Sequence, residues 1–599
     1  MKSIIKKITT LSALAITLFS CADFLDIEPV DTFSEKVVFG NLTTIDGYVT
    51  KRYTEMRHGF KRYNNRWACD ESWNSFDWYG VNGLQKGQMS PDYDGAQGTW
   101  VDVWYAGYID CPSYFSAIQN CNLFFDQAAG MEALKIDDTS TSLVNQYIGE
   151  MSFLRAFFYA DLMSRYGGVP LMKKASYLDT PTDEMYVARS SYEDCVEFIV
   201  GELDKAAELL PVRYADKWLG RATKGAALAL KARVLLYAAS DLHNPTGDVS
   251  KWTAARDAIA DVINLNEDGT TVPSGAKVYE LDPSYEELFR NPSSKEIIFE
   301  QVFSSEYGHY GDIYCSPNGF YGWSETSVSQ GMVDAYEMED GTMPDPTQLY
   351  GASNKNESDH GKEYEIGASP WDGREPRFYS SIGCDGQMWK TRNIEYYIYS
   401  DNNGGGRDSN KGGVEQWNAS VTGYYLRKFM DPSLPVSWDN KSTVPWIYIR
   451  LGEMYLNYAE ALYQTGDEIG AKKYLEFIRE RARGNKSDIL PEITASGDDL
   501  MKAIQHERRI ELAFEEHRFF DVRRWKIAKV EETKPVQGII VYKDRSTGKK
   551  SYKLAEIWKE TKFSDANYYL AIPTSERQRN PKLCQNPGYP GYDGDYWQE

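Results

Sequence analysis

The sequence predicts a mainly α protein, a helical scaffold carrying a large irregular, loop-rich surface with few short strands. Three observations lead there. Apolar residues recur at helical spacing in segments on both sides of the chain's middle. Two of those segments are joined only by the turn Gly466-Asp467. Between Leu265 and Val444, by contrast, helical periods give way to Gly, Asn, Asp, Tyr and Trp.

Ile148 to Tyr166 carries Met151, Leu154, Phe158 and Leu162 on one face, and Gly167-Gly168-Val169-Pro170 stops it. Ser191 to Leu210 reads as a second helix. Thr223 to Ser240 reads as a third, with Gly225, Ala226, Ala229, Ala232 and Ala238 allowing close approach of a neighbour. Tyr448 to Gln464 presents Leu451, Tyr455, Tyr458 and Leu462, and Gly470 to Arg483 answers with Ala471, Leu475, Ile478 and Ala482. With Ala459 and Ala471 at the crossing, this pair resembles a tetratricopeptide (TPR) unit, which must stack on neighbours to bury its apolar face. A further helix is expected from Asp498 to about Arg518. The expected organisation is a leader over 1–20, a helical region over 21–264, a loop-rich ligand-binding region over 265–445, and TPR-like helices with a C-terminal segment over 446–599.

Lys2, Lys6 and Lys7 precede a short apolar stretch, Ile8 to Phe19, the length of a secretory leader and too short to span a bilayer. It ends in Leu18-Phe19-Ser20-Cys21, which looks like a bacterial lipobox with a bulkier residue than usual at Phe19. Cys21 is therefore the expected lipid attachment site; an ordinary leader with an incidental Cys is the alternative. Without the leader, the formal charge moves from −22 to −25 because three lysines go. That excess of acid argues against nucleic acid as a partner. None of the eight Cys shows a CxxC spacing, which argues against structural zinc. Cys111 and Cys121 form the nearest pair, and free buried thiols are an equal expectation.

Aromatic residues make up 14% of the chain, and two clusters are interleaved with polar residues or glycine. The first holds Trp67, Trp73, Phe76, Trp78 and Tyr79, with Asp70, Glu71, Asn74 and Asp77 between them. The second holds His309, Tyr310, Tyr314, Phe320, Tyr321 and Trp323. A pyranose presents an apolar C–H face and a rim of hydroxyls. Flat rings with amide or carboxylate neighbours suit both. Neither cluster keeps a period of 2 or 3.6, which favours a surface over a core, although core packing is the alternative. Trp73, Asn74, Trp78, Tyr310, Tyr321 and Trp323 are the expected glycan contacts, with Trp371, Trp389 and Trp417 as the fallback.

Catalysis finds little support. The carboxylate pairs Asp70/Glu71 and Glu515/Glu516 are unremarkable among 88 acids. Glu507, Arg508, Arg509, Glu511, Glu515 and Arg518 lie at helical spacing and are expected to hold helices together. GxSxG, the P-loop, GxGxxG before a helix and HExxH are all missing from the sequence. No catalytic residue, cofactor or metal is expected, and the Asp401 to Gly406 loop lacks the EF-hand order of calcium ligands.

Several blocks, in order, carry a resemblance. They are Phe24-Leu25-Asp26-Ile27-Glu28-Pro29; Arg155 to Tyr159 leading to Arg165-Tyr166-Gly167-Gly168-Val169-Pro170-Leu171; Gln330 to Met338 before Asp340-Gly341; Ile449-Arg450-Leu451 leading to Tyr458-Ala459-Glu460-Ala461; Ile504 to Trp525; and Ile572-Pro573 before Asn580-Pro581 and Gln585-Asn586-Pro587-Gly588-Tyr589. Together they resemble the SusD/RagB family of Bacteroidetes outer-membrane lipoproteins. The resemblance implies a SusD-like helical fold and non-catalytic capture of poly- or oligosaccharide. It also implies a SusC-like TonB-dependent outer-membrane transporter as partner and a lipid anchor facing the cell exterior. Relatives that bind peptides or other nutrients keep peptide capture open, and a surface glycoside hydrolase is the other alternative.

Overall fold

The computed structural model describes residues 35–60, 65–76, 80–92, 101–104, 112–215, 218–351 and 358–592. Helices dominate: α1 (Leu42–Tyr53), α2 (Tyr114–Met131), α3 (Asp138–Tyr166), α4 (Tyr192–Leu209), α5 (Lys224–Ala239), α6 (Val249–Ile263), α7 (Leu451–Gln464), α8 (Glu468–Arg483), α9 (Asp498–Glu511) and α10 (Arg518–Arg524). Their starts follow capping chemistry. Asn41, Ser113, Asp137, Ser191, Thr223, Asp248 and Asp467 each accept a backbone N–H of the first turn through the side chain. Asp137 and Ser140 form a reciprocal capping box, and this starts α3 ten residues before the expected Ile148. The polar opening Asp138-Thr139-Ser140-Thr141-Ser142 hides that turn from an apolar-period reading. Helices α1, α2 and α6 were likewise not anticipated from the sequence.

Each scaffold helix from α2 to α9 packs on the next in chain order. The step from α6 to α7 is included, although Ile263 and Leu451 are separated by the loop-rich region. That region is thus inserted between two consecutive members of one helical stack. The small residues of α5 are buried in this stack, as are Ala459 and Ala471 between α7 and α8. Among the described residues, no helix is long and apolar enough to cross a membrane.

The insertion contributes the short strands β2 (Ile297–Gln301), β3 (Thr326–Val328) and β4 (Trp446–Arg450), and β1 (Ser72–Asn74) comes from the N-terminal region. β1 pairs with β3 and β2 with β4, both antiparallel. The segment from Tyr448 to Arg450, expected as helix, belongs to β4; its Ile-Tyr-Ile-Arg run lies beside β2 before Leu451 opens α7. After the TPR-like helices, the C-terminal segment contains strands. β5 (Val536–Lys543) and β6 (Lys550–Trp558) form a hairpin that Lys362–Tyr364 and Ile398–Tyr399 extend to four strands.

The expected helix from Asp498 to Arg518 is broken. α9 ends at Glu511, and Phe514 (φ 63°) and Glu516 (φ 71°) turn the chain before α10. Glu71 and Glu516 fix that turn, Glu71 by accepting the Phe514 N–H at 3.1 Å and Glu516 by accepting the Asn65 N–H. Cys69, Cys121, Cys195, Cys315 and Cys384 are buried free thiols; Cys111 lies outside the described residues.

Candidate functional site: an exposed aromatic face

Pairing of β1 with β3 joins the two aromatic segments, placing Trp73 opposite Ser327 and Asn74 opposite Thr326. Ser75 extends the contact: its N–H donates to Glu325 O at 3.0 Å, and its hydroxyl reaches Ser324 O and Ser327 Oγ. The 310–325 segment folds back on itself. After the short helix Gly311–Cys315, the Trp323 N–H returns to Ile313 O and the Glu325 N–H to Tyr314 O, both at 2.8 Å. Gly322 is required there, because a Cβ would stand 2.1 Å from Ser316 O.

Two more loops reach the same place. Ser327 Oγ lies 2.8 Å from Ser420 Oγ and accepts the Val421 N–H, anchoring the segment just after Trp417. Lys390 donates to Asp312 at 2.7 Å and to the Asp431 and Leu434 carbonyls, tying the loop before Trp438 to the helix after Tyr310. At the base, His309 stacks on Phe60 with centroids 3.8 Å apart and accepts the Gly311 N–H, and burial lowers its pKa to about 4. This His is a neutral packing element.

The result is a cluster of rings centred on Trp323. Trp417 lies 5.8 Å away, Trp438 5.9 Å, Phe76 6.1 Å and Tyr314 6.3 Å between centroids, all edge-on. Tyr310 packs on Trp438 at 5.2 Å and Phe76 on Trp417 at 5.7 Å. Trp417 and Trp438 are 58% and 51% exposed, too much for core residues. Exposed large rings held edge to edge by their neighbours form a stiff apolar surface. Polar residues next to the exposed tryptophans in the chain, Glu415, Gln416 and Asp439, are exposed as well.

Of the residues singled out from the sequence, Trp323 and Tyr310 stand in this cluster. Tyr321 is 64% exposed on a left-handed turn (φ 65°) of the same segment. Trp73 and Asn74 are buried. Trp73 stacks on Trp558 at 6.0 Å, and the Asn74 side chain accepts the Phe76 N–H at 2.8 Å. Asn74 therefore supports the face through Phe76, whereas Trp73 is drawn inward by the β6 tryptophan, far away in sequence. Trp78 and Cys21 lie outside the described residues. In the fallback set, Trp371 and Trp389 are core residues at 2% exposure, whereas Trp417 belongs to the face. Trp438 was missed, although its setting in Pro435-Val436-Ser437-Trp438-Asp439-Asn440 carries the signal of a lone ring among turn residues.

The charged run of the 504–525 block sits elsewhere, inside the protein. Arg450 donates at 2.7 Å to each of Glu296, Glu511 and Glu515. Arg377 bridges Glu375, Glu507 and Glu511, and Arg481 joins Glu296 and Glu511. Arg508 and Arg524 share Asp521, Arg524 also holds Glu460, and Arg518 and Arg509 clasp Asp70. Burial pushes the Glu511 carboxyl up, but Arg481, Arg450 and Arg377 outweigh it and hold it well below the usual range. These acids are fixed as carboxylates between cations, an arrangement that ties α7, α8, α9 and α10 together. Among the described residues, no group of three or more His, Cys, Asp or Glu is placed to hold a metal ion.

Comparison with known proteins matches this architecture. The model of the SusD family matches residues 295–589, and a model described as "Starch-binding associating with outer membrane" matches residues 23–236. The SusD-like protein P38 of Formosa agariphila is 22% identical over 541 residues, covering 87% of this chain and 91% of its own. A SusD-like protein of Bacteroides fragilis superposes with a TM-score of 0.73 at 29% identity, over 94% of this chain and 100% of its own. A SusD-like carbohydrate-binding protein of the same species has the same fold, with a TM-score of 0.70 at 21% identity over 91% of this chain and 99% of its own. The two matched models divide most of the chain between them, the order of helices and insertion is shared over nearly its full length, and so the chain belongs to the SusD family.

Proposed function

We propose that this protein is a cell-surface glycan-binding lipoprotein. It captures poly- or oligosaccharide on the aromatic face around Trp323, Trp417, Trp438 and Tyr310, with Tyr321 as a neighbouring candidate and Trp78 as a candidate from the sequence alone, and it delivers the ligand to a TonB-dependent outer-membrane transporter. The observation that carries this reading is the pair of half-exposed tryptophans packed edge-on to Trp323. Sugar rings stack on such surfaces through their C–H faces, and stiff rings lose little freedom when they bind. Family membership supports the outer-membrane setting, and Cys21 is the proposed lipid attachment point. Transporter delivery rests on the family alone.

The reading is non-catalytic. Glu511 and Asp521 of the 504–525 block are held by buried arginines. Affinity electrophoresis of the purified protein through gels containing a panel of polysaccharides tests it. At least one polysaccharide should retard the protein while its solution yields no reducing ends or smaller fragments. Chain cleavage would overturn the non-catalytic reading, and no retardation by any glycan would overturn capture.

A further inference from the structure

A cavity of about 350 Å³ opens between β2 and the 212–223 segment that precedes α5. Its lining includes Tyr214, Trp218, Arg221, Tyr279, Lys295 and Glu300. Glu300 sits on β2 opposite Ile447 of β4 and is only 6% exposed, yet its carboxylate Oε2 has no hydrogen-bond partner. Other buried acids of the molecule have cations or backbone donors, as Glu511 has Arg450 and Arg481, Glu150 has Arg221, and Glu71 has the Phe514 N–H. The cations near Glu300 are already engaged. Arg221 is paired with Asp46 and Glu150, Arg213 with Glu267, and Lys295 with Glu280. Among the described residues, Glu300 is thus the acid that lines the cavity, and it has no ion-pair partner; it shares the lining with a stacked Tyr214–Trp218 ring pair, 6.1 Å between centroids, whose tryptophan already carries the Arg221 guanidinium 4.2 Å from its ring.

We infer that this cavity is a binding site for a primary ammonium group, which pairs with Glu300 and lies against the Tyr214–Trp218 rings. A desolvated carboxylate gains most from a partner that brings both charge and N–H donors. Ring faces add a cation–π attraction that neutral hydroxyls do not receive. Burial alone pushes Glu300 up to about 7, so near neutral pH it is poised to ionise when a cation arrives. The ammonium can come from an amino sugar or from a lysine side chain; the chemistry at Glu300 is the same. This inference does not depend on the aromatic face around Trp323.

The test titrates the full chain, purified in detergent, with glucosamine, N-acetylglucosamine, glucose and Nα-acetyl-lysine methylamide, followed by calorimetry. Glucosamine, the lysine derivative or both should bind, and the two neutral sugars should not; which ammonium compound binds identifies the source. Glu300→Gln, which keeps shape and removes charge, should weaken that binding about tenfold or more, the worth of a charge-assisted hydrogen bond. Trp218→Ala should weaken it a few-fold, and Trp417→Ala should leave it unchanged. No binding by either ammonium compound, binding of glucose equal to that of glucosamine, or undiminished binding by Glu300→Gln would each overturn the site. Retardation by polysaccharide in the Glu300→Gln protein reports separately on the aromatic face.

Discussion

The charged belt of the 504–525 block and the aromatic face around Trp323 invert the usual order of a globular protein. In the belt, Arg377, Arg450, Arg508 and Arg524 are almost wholly buried. On the face, Trp417, Trp438 and Tyr321 are more than half exposed. Each inversion needs compensation, and the compensation differs. A buried guanidinium survives because carboxylates and carbonyls surround it in fixed geometry, so every member of the belt depends on the others. An exposed ring needs no partner to persist, so the face can change without unfolding the scaffold. The belt is therefore the part that a fold must keep, and the face the part free to follow the ligand.

The largest effect separating the two is on stability. Arg450→Ala leaves Glu296, Glu511 and Glu515 buried around a missing cation, and breaking a buried pair of this kind costs about 3–5 kcal/mol. Thermal melting should fall markedly. Lys502→Ala, which removes an ion pair with Asp499 whose side chains are 73% and 74% exposed, should leave melting where it was. Equal, small changes in both variants would mean that the belt does not hold the scaffold.

On the face, the order reverses. Trp323→Ala, Trp417→Ala and Trp438→Ala should each weaken binding of the best polysaccharide by roughly ten- to a hundredfold, taking about 1–3 kcal/mol per stacked ring by analogy with base stacking. Trp417→Ala and Trp438→Ala should melt with the parent, because their rings are already half in solvent. Isothermal titration checks this, and parental affinity in all three variants would place the glycan elsewhere.

A smaller effect concerns pH and belongs to the interior alone. Burial, with Asp70 adding to it, pushes Glu71 up to about 8, and burial raises Glu516 and Glu532 to about 7. Folded chains hold these protons where unfolded chains have released them, so stability falls as pH rises from about 4.5 through 8. Glu337 behaves oppositely: burial raises it, but His506 and Arg479 outweigh that and hold it at about 2. Its contribution is present above the ordinary glutamate range and disappears as pH falls toward 2. Melting should therefore peak in weak acid, near pH 5. Glu71→Gln should flatten the decline toward pH 8 and leave the acid limb alone; an unchanged slope would remove Glu71 from the account.

The two regions also differ in how far the sequence revealed them. α4, α5 and α8 could be placed because their apolar period and their caps Ser191, Thr223 and Asp467 agree with each other, and α7 by its apolar period alone. The packing of α6 on α7 could not, since no local signal says that two helices so far apart in the chain are consecutive in the stack. Tyr310 and Trp323 stand in the ring cluster, and Gly and polar residues break any core period around them in the sequence. Trp73 was misjudged for a matching reason: its pattern is that of a surface residue, and only Trp558 and the overlying Lys86 explain its burial. Trp438 had no aromatic neighbours in sequence; its cluster exists only after Lys390 gathers the loops.

The finest distinction is at the rim of the face. Tyr321 is 64% exposed, and its backbone is left-handed at φ 65°, a conformation glycine adopts without strain. Tyr321→Gly thus removes a ring and relieves the backbone at once. No loss of stability is expected, because a non-glycine residue costs about 1–2 kcal/mol in that region and the ring buries little. Binding should weaken only a few-fold, since Tyr321 flanks the edge-packed cluster and a mobile ring must be ordered when it closes on a ligand. Side-by-side titration of Tyr321→Gly and Trp417→Ala reads the difference. If the glycine variant loses as much affinity as the tryptophan variant, the ligand lies across the 318–323 turn and not between Trp417 and Trp438. If it melts well below the parent, Tyr321 has a packing role, and the separation between a scaffold that must be kept and a face that can vary does not extend to this turn.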